Sequence, residues 1–74
     1  MATLSKPMKV VGQKLKKARE AKILSHRELA LAAGLSPTTV LKLENAEEST
    51  PHPRTIRKLA EALGVDAREL LAED

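Results

Sequence analysis

Few side chains in this 74-residue sequence can perform covalent or metal chemistry. There is no cysteine, which excludes disulfides, thiolate metal sites and cysteine nucleophiles. His26 and His52 are the only histidines, too few for a metal set without cysteine support, and no cofactor is expected. His52 stands directly before Pro53 and reads as a substitute helix cap. Ser25 adjoins His26, but a nucleophilic triad also needs an orienting carboxylate, oxyanion donors and a cleft. Short helices hardly provide those, so the chain is not expected to be an enzyme. Phe, Tyr and Trp are all absent, which removes the stacking surfaces that single-stranded nucleic acids use. What remains is hydrogen-bond donation and positive charge. Residues 1–27 carry eight basic groups against Glu20, a net of +7, while residues 28–74 carry a net of −4. A basic half of this kind suits a polyanionic partner.

The elements that must position these donors read as helices. One small domain is the most that this length supports. The longest unbroken apolar run is Leu29 to Ala33, far short of a membrane span, so a cytoplasmic protein is expected. Residues 1–8 contain Pro7 and are polar, suggesting a flexible arm before a domain over residues 9–74. A first helix is expected from Lys9 to Lys22, with Val11, Leu15 and Ala18 on one face. Ser25-His26-Arg27-Glu28 is a capping box opening a second helix, with Ile23 and Leu24 before it as a staple. That helix stops at Gly34, a natural left-handed position. Ser36 as cap and Pro37 at the first helical position open a third helix running to Asn45. Residues 45–52 read as a polar loop. Pro53 opens a fourth helix with Ile56, Leu59, Ala60 and Leu63 as its stripe, stopped by Gly64. Asp66 and Glu69 have capping-box spacing for a short fifth helix carrying Leu70 and Leu71. The expected fold is all-α, with five helices.

Residues 25–44 are the informative unit: a helix, a tight turn at Gly34-Leu35-Ser36, and a second helix, which together form a helix-turn-helix. Ala30 is small where the two helices cross, Leu35 fills the corner, and Val40 and Leu43 face inward. The opposite face is left to enter a major groove about 12 Å wide.

The segments Leu24-Ser25-His26-Arg27-Glu28-Leu29-Ala30, Ala33-Gly34-Leu35-Ser36 and Thr39-Val40-Leu41-Lys42-Leu43-Glu44-Asn45 resemble the Xre/Cro-type, lambda-repressor-like helix-turn-helix domain. The similarity continues through Pro51 and Thr55–Val65 to Leu71, covering residues 9–72 or nearly so. It implies that Ser36–Asn45 is a recognition helix, with Pro37, Thr38, Thr39 and Lys42 at base-contacting positions. Ser25, His26, Ser36 and Asn45 would bind phosphate, and Arg54 would reach the minor groove or backbone. Arg19 and Glu44 would form a buried ion pair. The family usually has Gln where His26 stands, so phosphate binding there would vary around pH ~6–7. Glu47 and Glu48 occupy a loop that is usually basic, and Leu41 lies on a face that is usually polar.

The function expected is a sequence-specific regulator of double-stranded DNA, a repressor acting as a homodimer on a palindromic operator. Its C-terminal helices would form the dimer contact. No ligand domain follows the helices, so control by concentration, cooperativity or a toxin or other protein partner is expected. The rival reading is a protein-interaction module of the same fold, favoured by Pro37, Leu41 and Glu47-Glu48.

Overall fold

Residues 8–73 are described by a computed structural model. The expected arm over residues 1–8 therefore lies, apart from Met8, outside the described residues. Two β-branched residues, Val10 and Val11, begin the fold as strand β1 (Val10–Val11) rather than as the first turn of a helix. Helix α1 (Gly12–Ala21) follows, then α2 (His26–Ala33), α3 (Pro37–Asn45), strand β2 (Glu48–Ser49) and α4 (Pro53–Leu63). A single 3-10 turn, Ala67–Leu70, closes the order.

The fold is mostly helical, as expected, but the count of five helices and the absence of strands are corrected. Among the described residues there are four α-helices, one 3-10 turn and a two-stranded antiparallel sheet. In that sheet Val10 pairs with Ser49 and Val11 with Glu48. The first helix starts at Gly12 rather than Lys9, because Lys9 and Val10 are drawn into pairing with distant backbone: the Lys9 carbonyl accepts from the Ala72 amide at 2.8 Å. The fifth helix does not propagate, since Leu71 and Ala72 are drawn into backbone pairing with Val10 and Lys9. At its start the Asp66 side chain accepts from the Arg68 amide at 2.9 Å, not from the Glu69 amide of the expected capping box. That bond, with the Arg68 guanidinium beside it, holds the Asp66 carboxyl below its usual range. The expected polar loop of residues 45–52 contains β2, and Asn45 still belongs to α3.

Helix ends follow the local chemistry. Ser25 and Glu28 form the capping box in full: Ser25 Oγ accepts from the Glu28 amide at 3.0 Å, and Glu28 Oε1 accepts from the Ser25 amide at 2.8 Å. Gly34 ends α2 at φ 71°. His52 caps α4 through Nδ1, which accepts from the Arg54 amide at 3.0 Å. The staple uses Leu24 alone. Ile23 sits at φ 57° in the α1–α2 turn and is 88% exposed.

Leu15 from α1, Leu29 from α2, Val40 from α3, and Ile56, Leu59 and Leu63 from α4 meet in one core, sealed by Val10 and Leu70. Val11, expected on the buried face of the first helix, is half-buried in β1. This core holds α3 against α1 and α2 along its Val40, Leu43 and Glu44 side.

The start of α1 packs directly on the chain leaving α3. A Cβ built on Gly12 would collide with the backbone carbonyl oxygens of Ala46 and Glu44. Gly34 differs: its φ is positive, but a Cβ there meets nothing within 4 Å. Gly34→Ala is therefore expected to cost about 1 kcal/mol of backbone strain. Gly12→Ala should cost more, about 2–3 kcal/mol, because backbone must move. Urea unfolding of the two variants checks the order; a milder effect for Gly12→Ala would show that the contact yields.

Candidate nucleic-acid interface

The site is built around a carboxylate that the solvent scarcely reaches. Glu44 lies in the last turn of α3, and its side chain is 3% exposed. Arg19, in the last turn of α1, meets it with two donors: Nε to Oε2 at 2.6 Å and Nη2 to Oε1 at 3.1 Å. The pair anticipated from the resemblance is present and bidentate, a geometry that favours guanidinium over ammonium. The third guanidinium nitrogen, Nη1, donates to the Leu24 carbonyl at 2.6 Å. The Leu24 amide donates back to the Arg19 carbonyl at 3.2 Å, so the α1–α2 turn is locked from both sides. The Glu44 carboxylate holds the Arg19 pKa above its ordinary value, chiefly through this hydrogen bond.

A further contact was not foreseen. His26 Nε2 lies 3.0 Å from Glu44 Oε1. One carboxylate therefore joins α1, the first residue of α2 and the last turn of α3. Nothing in the spacing of His26 and Glu44 signals this, since 17 residues of turn and helix separate them (His26 to Glu44 in the chain). It follows from the crossing of α2 and α3, which brings the start of one beside the end of the other.

On α3 the side chains divide cleanly. Val40, Leu43 and Glu44 are buried, while Pro37, Thr38, Lys42 and Asn45 are exposed. Thr39 is half-buried; its amide donates to Ser36 Oγ at 3.1 Å, and the two hydroxyls lie 2.9 Å apart. Both residues thus serve the helix cap first. Leu41 is 44% exposed, on the open side of the helix. Ser25 is exposed at the start of α2, and Arg54 is exposed at the start of α4.

The charges that crowded the basic half are partly engaged elsewhere. Lys9 lies 3.9 Å from Glu48, which turns that carboxylate of the loop toward β1. Lys14 Nζ donates to the Leu71 carbonyl at 2.8 Å and lies 3.7 Å from Glu73. Such exposed pairs add little stability, about 0–1 kcal/mol each, but they orient the lysines. Leu70 is fully enclosed, whereas Leu71, Val65 and Ala62 are only partly covered by the core. Among the described residues no cluster of three or more His, Asp or Glu side chains suits a metal ion.

The helix-turn-helix family profile matches residues 15–70. The uncharacterized HTH-type transcriptional regulator RghRB of Bacillus subtilis is 42% identical over 65 residues, covering 88% of this chain and 47% of that protein. The chain thus spans about half the length of the curated relatives it matches. The restriction-modification controller protein C.AhdI of Aeromonas hydrophila superposes with a TM-score of 0.74 at 39% identity, over 80% of this chain and 88% of that one. The biofilm master regulator SinR, solved in complex with DNA, superposes with a TM-score of 0.77 at 30% identity, over 82% of this chain and 100% of that one.

Removing Glu44 while leaving Arg19 in place strands a buried guanidinium. Glu44→Ala is expected to cost about 3–5 kcal/mol, a large part of the stability of so small a domain. The double variant Arg19→Met/Glu44→Leu should recover most of that loss, since two apolar residues of similar volume replace both charges. Chemical denaturation of the single and double variants tests this. Equal losses in both would show that packing, rather than charge pairing, holds α1 to α3.

Proposed function

Since this chain belongs to the helix-turn-helix family, we propose that it is a sequence-specific regulator of transcription that binds double-stranded DNA. The observation that carries this reading is the division of α3. Its buried side is fastened to α1 and α2, leaving Pro37, Thr38, Lys42 and Asn45 on the face toward solvent. A helix held rigidly on one side and open to solvent on the other is the form that a major groove admits.

In this reading Lys42 donates to guanine O6 and N7, with Thr38 and Thr39 beside it and Pro37 in apolar contact. Ser25, His26, Ser36 and Asn45 bind phosphates and set the register, and Arg54 reaches the backbone or minor groove. No chemistry is performed; occupancy of a promoter excludes polymerase, so the sign of regulation is repression. One copy presents a small surface, so two copies on a palindrome, with half-sites about one helical turn apart, supply the affinity. The partly covered apolar rim of Ala62, Val65 and Leu71 suits that contact between copies.

The rival reading, a protein-interaction module of the same fold, draws on the exposure of Leu41 and the proline at residue 37. Selection from a random duplex library at ~150 mM salt separates the two. Enrichment of a palindrome is expected, with Lys42→Ala weakening binding by about 1–3 kcal/mol and relaxing one base position. Arg54→Ala should weaken all sequences alike and lessen the salt dependence. Absence of duplex binding at any salt would overturn the DNA reading in favour of a protein partner.

A further inference from the structure

His26 is the first residue of α2, directly after the Ser25 cap, and its side chain is 39% exposed. Its contact with Glu44 settles which ring nitrogen is available to a ligand. Both oxygens of Glu44 already accept from the Arg19 guanidinium, so the carboxylate accepts hydrogen bonds and donates none. At 3.0 Å from Oε1, Nε2 must therefore carry the hydrogen. Nδ1 is then the nitrogen left for a ligand, and among the described residues it makes no hydrogen bond. In the neutral ring Nδ1 holds a lone pair, which repels a phosphate oxygen instead of binding it. In the protonated ring both nitrogens donate, one to Glu44 and one outward.

We infer that His26 is a proton-gated phosphate ligand, oriented by Glu44 so that it grips the DNA backbone only as an imidazolium. The inference rests on the DNA-binding reading above and sharpens it. An unrestrained histidine could offer a donor in its neutral form by changing tautomer; here the buried carboxylate removes that choice. Glu44 on α3 touches the ring, Arg19 on α1 shares the same carboxylate, and Arg27 and Glu28 flank His26 on α2. The buried residues that α4 turns toward the core are all apolar: Ile56, Leu59, Ala60 and Leu63. The sign follows from linkage. Phosphate binds the protonated ring, so affinity is highest in acid and falls as pH rises.

The test measures duplex affinity between about pH 5.5 and 7.5, a window in which carboxylates and lysines of ordinary pKa hold their charge. His52 is replaced by Asn throughout, because Asn caps a helix at any pH and removes the second imidazole. The duplexes are the selected palindrome and a random sequence of equal length, since phosphate contacts serve both. The parent protein is expected to bind both more tightly at the acid end, by about tenfold or more for each copy bound, the yield of one charge-assisted hydrogen bond. His26→Gln, neutral throughout, should bind with affinity that pH leaves unchanged. Nitrogen-15 NMR of the free protein at the upper pH should show the Nε2–H tautomer of His26. Equal pH dependence in parent and His26→Gln, or an Nδ1–H tautomer, would overturn the inference. Failure of every variant to bind duplex overturns the inference as well, and an Nε2–H spectrum then places the fault in the DNA-binding reading rather than in the geometry of the ring.

Discussion

The Glu44 carboxylate is the point on which this small domain turns. It accepts two bonds from Arg19 and one from His26, and so binds three helices that are separate in sequence. A buried ion pair is a doubtful source of net stability, because desolvation of both charges opposes their attraction. Its value lies in direction. Apolar side chains such as Leu15, Val40 and Leu59 bring the helices together without specifying their rotation, whereas a bidentate guanidinium accepts only a narrow range of angles. With aromatic residues wholly absent, no large flat side chain is available to do this by shape. The polar cluster supplies the orientation that a Trp or Phe provides in other cores.

Much of this was legible in the chain, and the reasons are local. Ser25 with Glu28, Gly34, Ser36 with Pro37, and Gly64 mark helix ends because each satisfies orphan backbone groups within a few residues. The same holds for the apolar stripe of α4. What escaped reading depends on partners far away. Val10 and Val11 lie beside a helical pattern and become a strand only because residues 48 and 49 return to them. Gly12 reads as an indifferent helical residue until the close passage of the Ala46 carbonyl is seen. The final turn stays 3-10 because the residues after it, Leu71 and Ala72, return to pair with Val10 and Lys9, partners that spacing does not reveal.

The candidate interface was legible to a lesser degree. The exposed positions of α3 follow from its period, so Pro37, Thr38 and Lys42 fall where the pattern puts them. Thr39 and Ser36 are more committed to the cap than their types suggest. The lysines early in the chain looked like a diffuse basic surface. Lys9 and Lys14 instead lie beside Glu48 and Glu73.

The bond between the Lys9 carbonyl and the Ala72 amide means that the chain enters and leaves the domain at one place. Strand β1 and the residues after the 3-10 turn lie side by side, with Val10 bridged to Leu71. Such a domain behaves as a plug-in cassette. It can sit within a surface loop of a larger host without spreading the host's backbone, or be rejoined end to end and reopened elsewhere. The same closeness means that a pull on either end bears first on the β1 pairing, and through Gly12 on the chain that leaves α3.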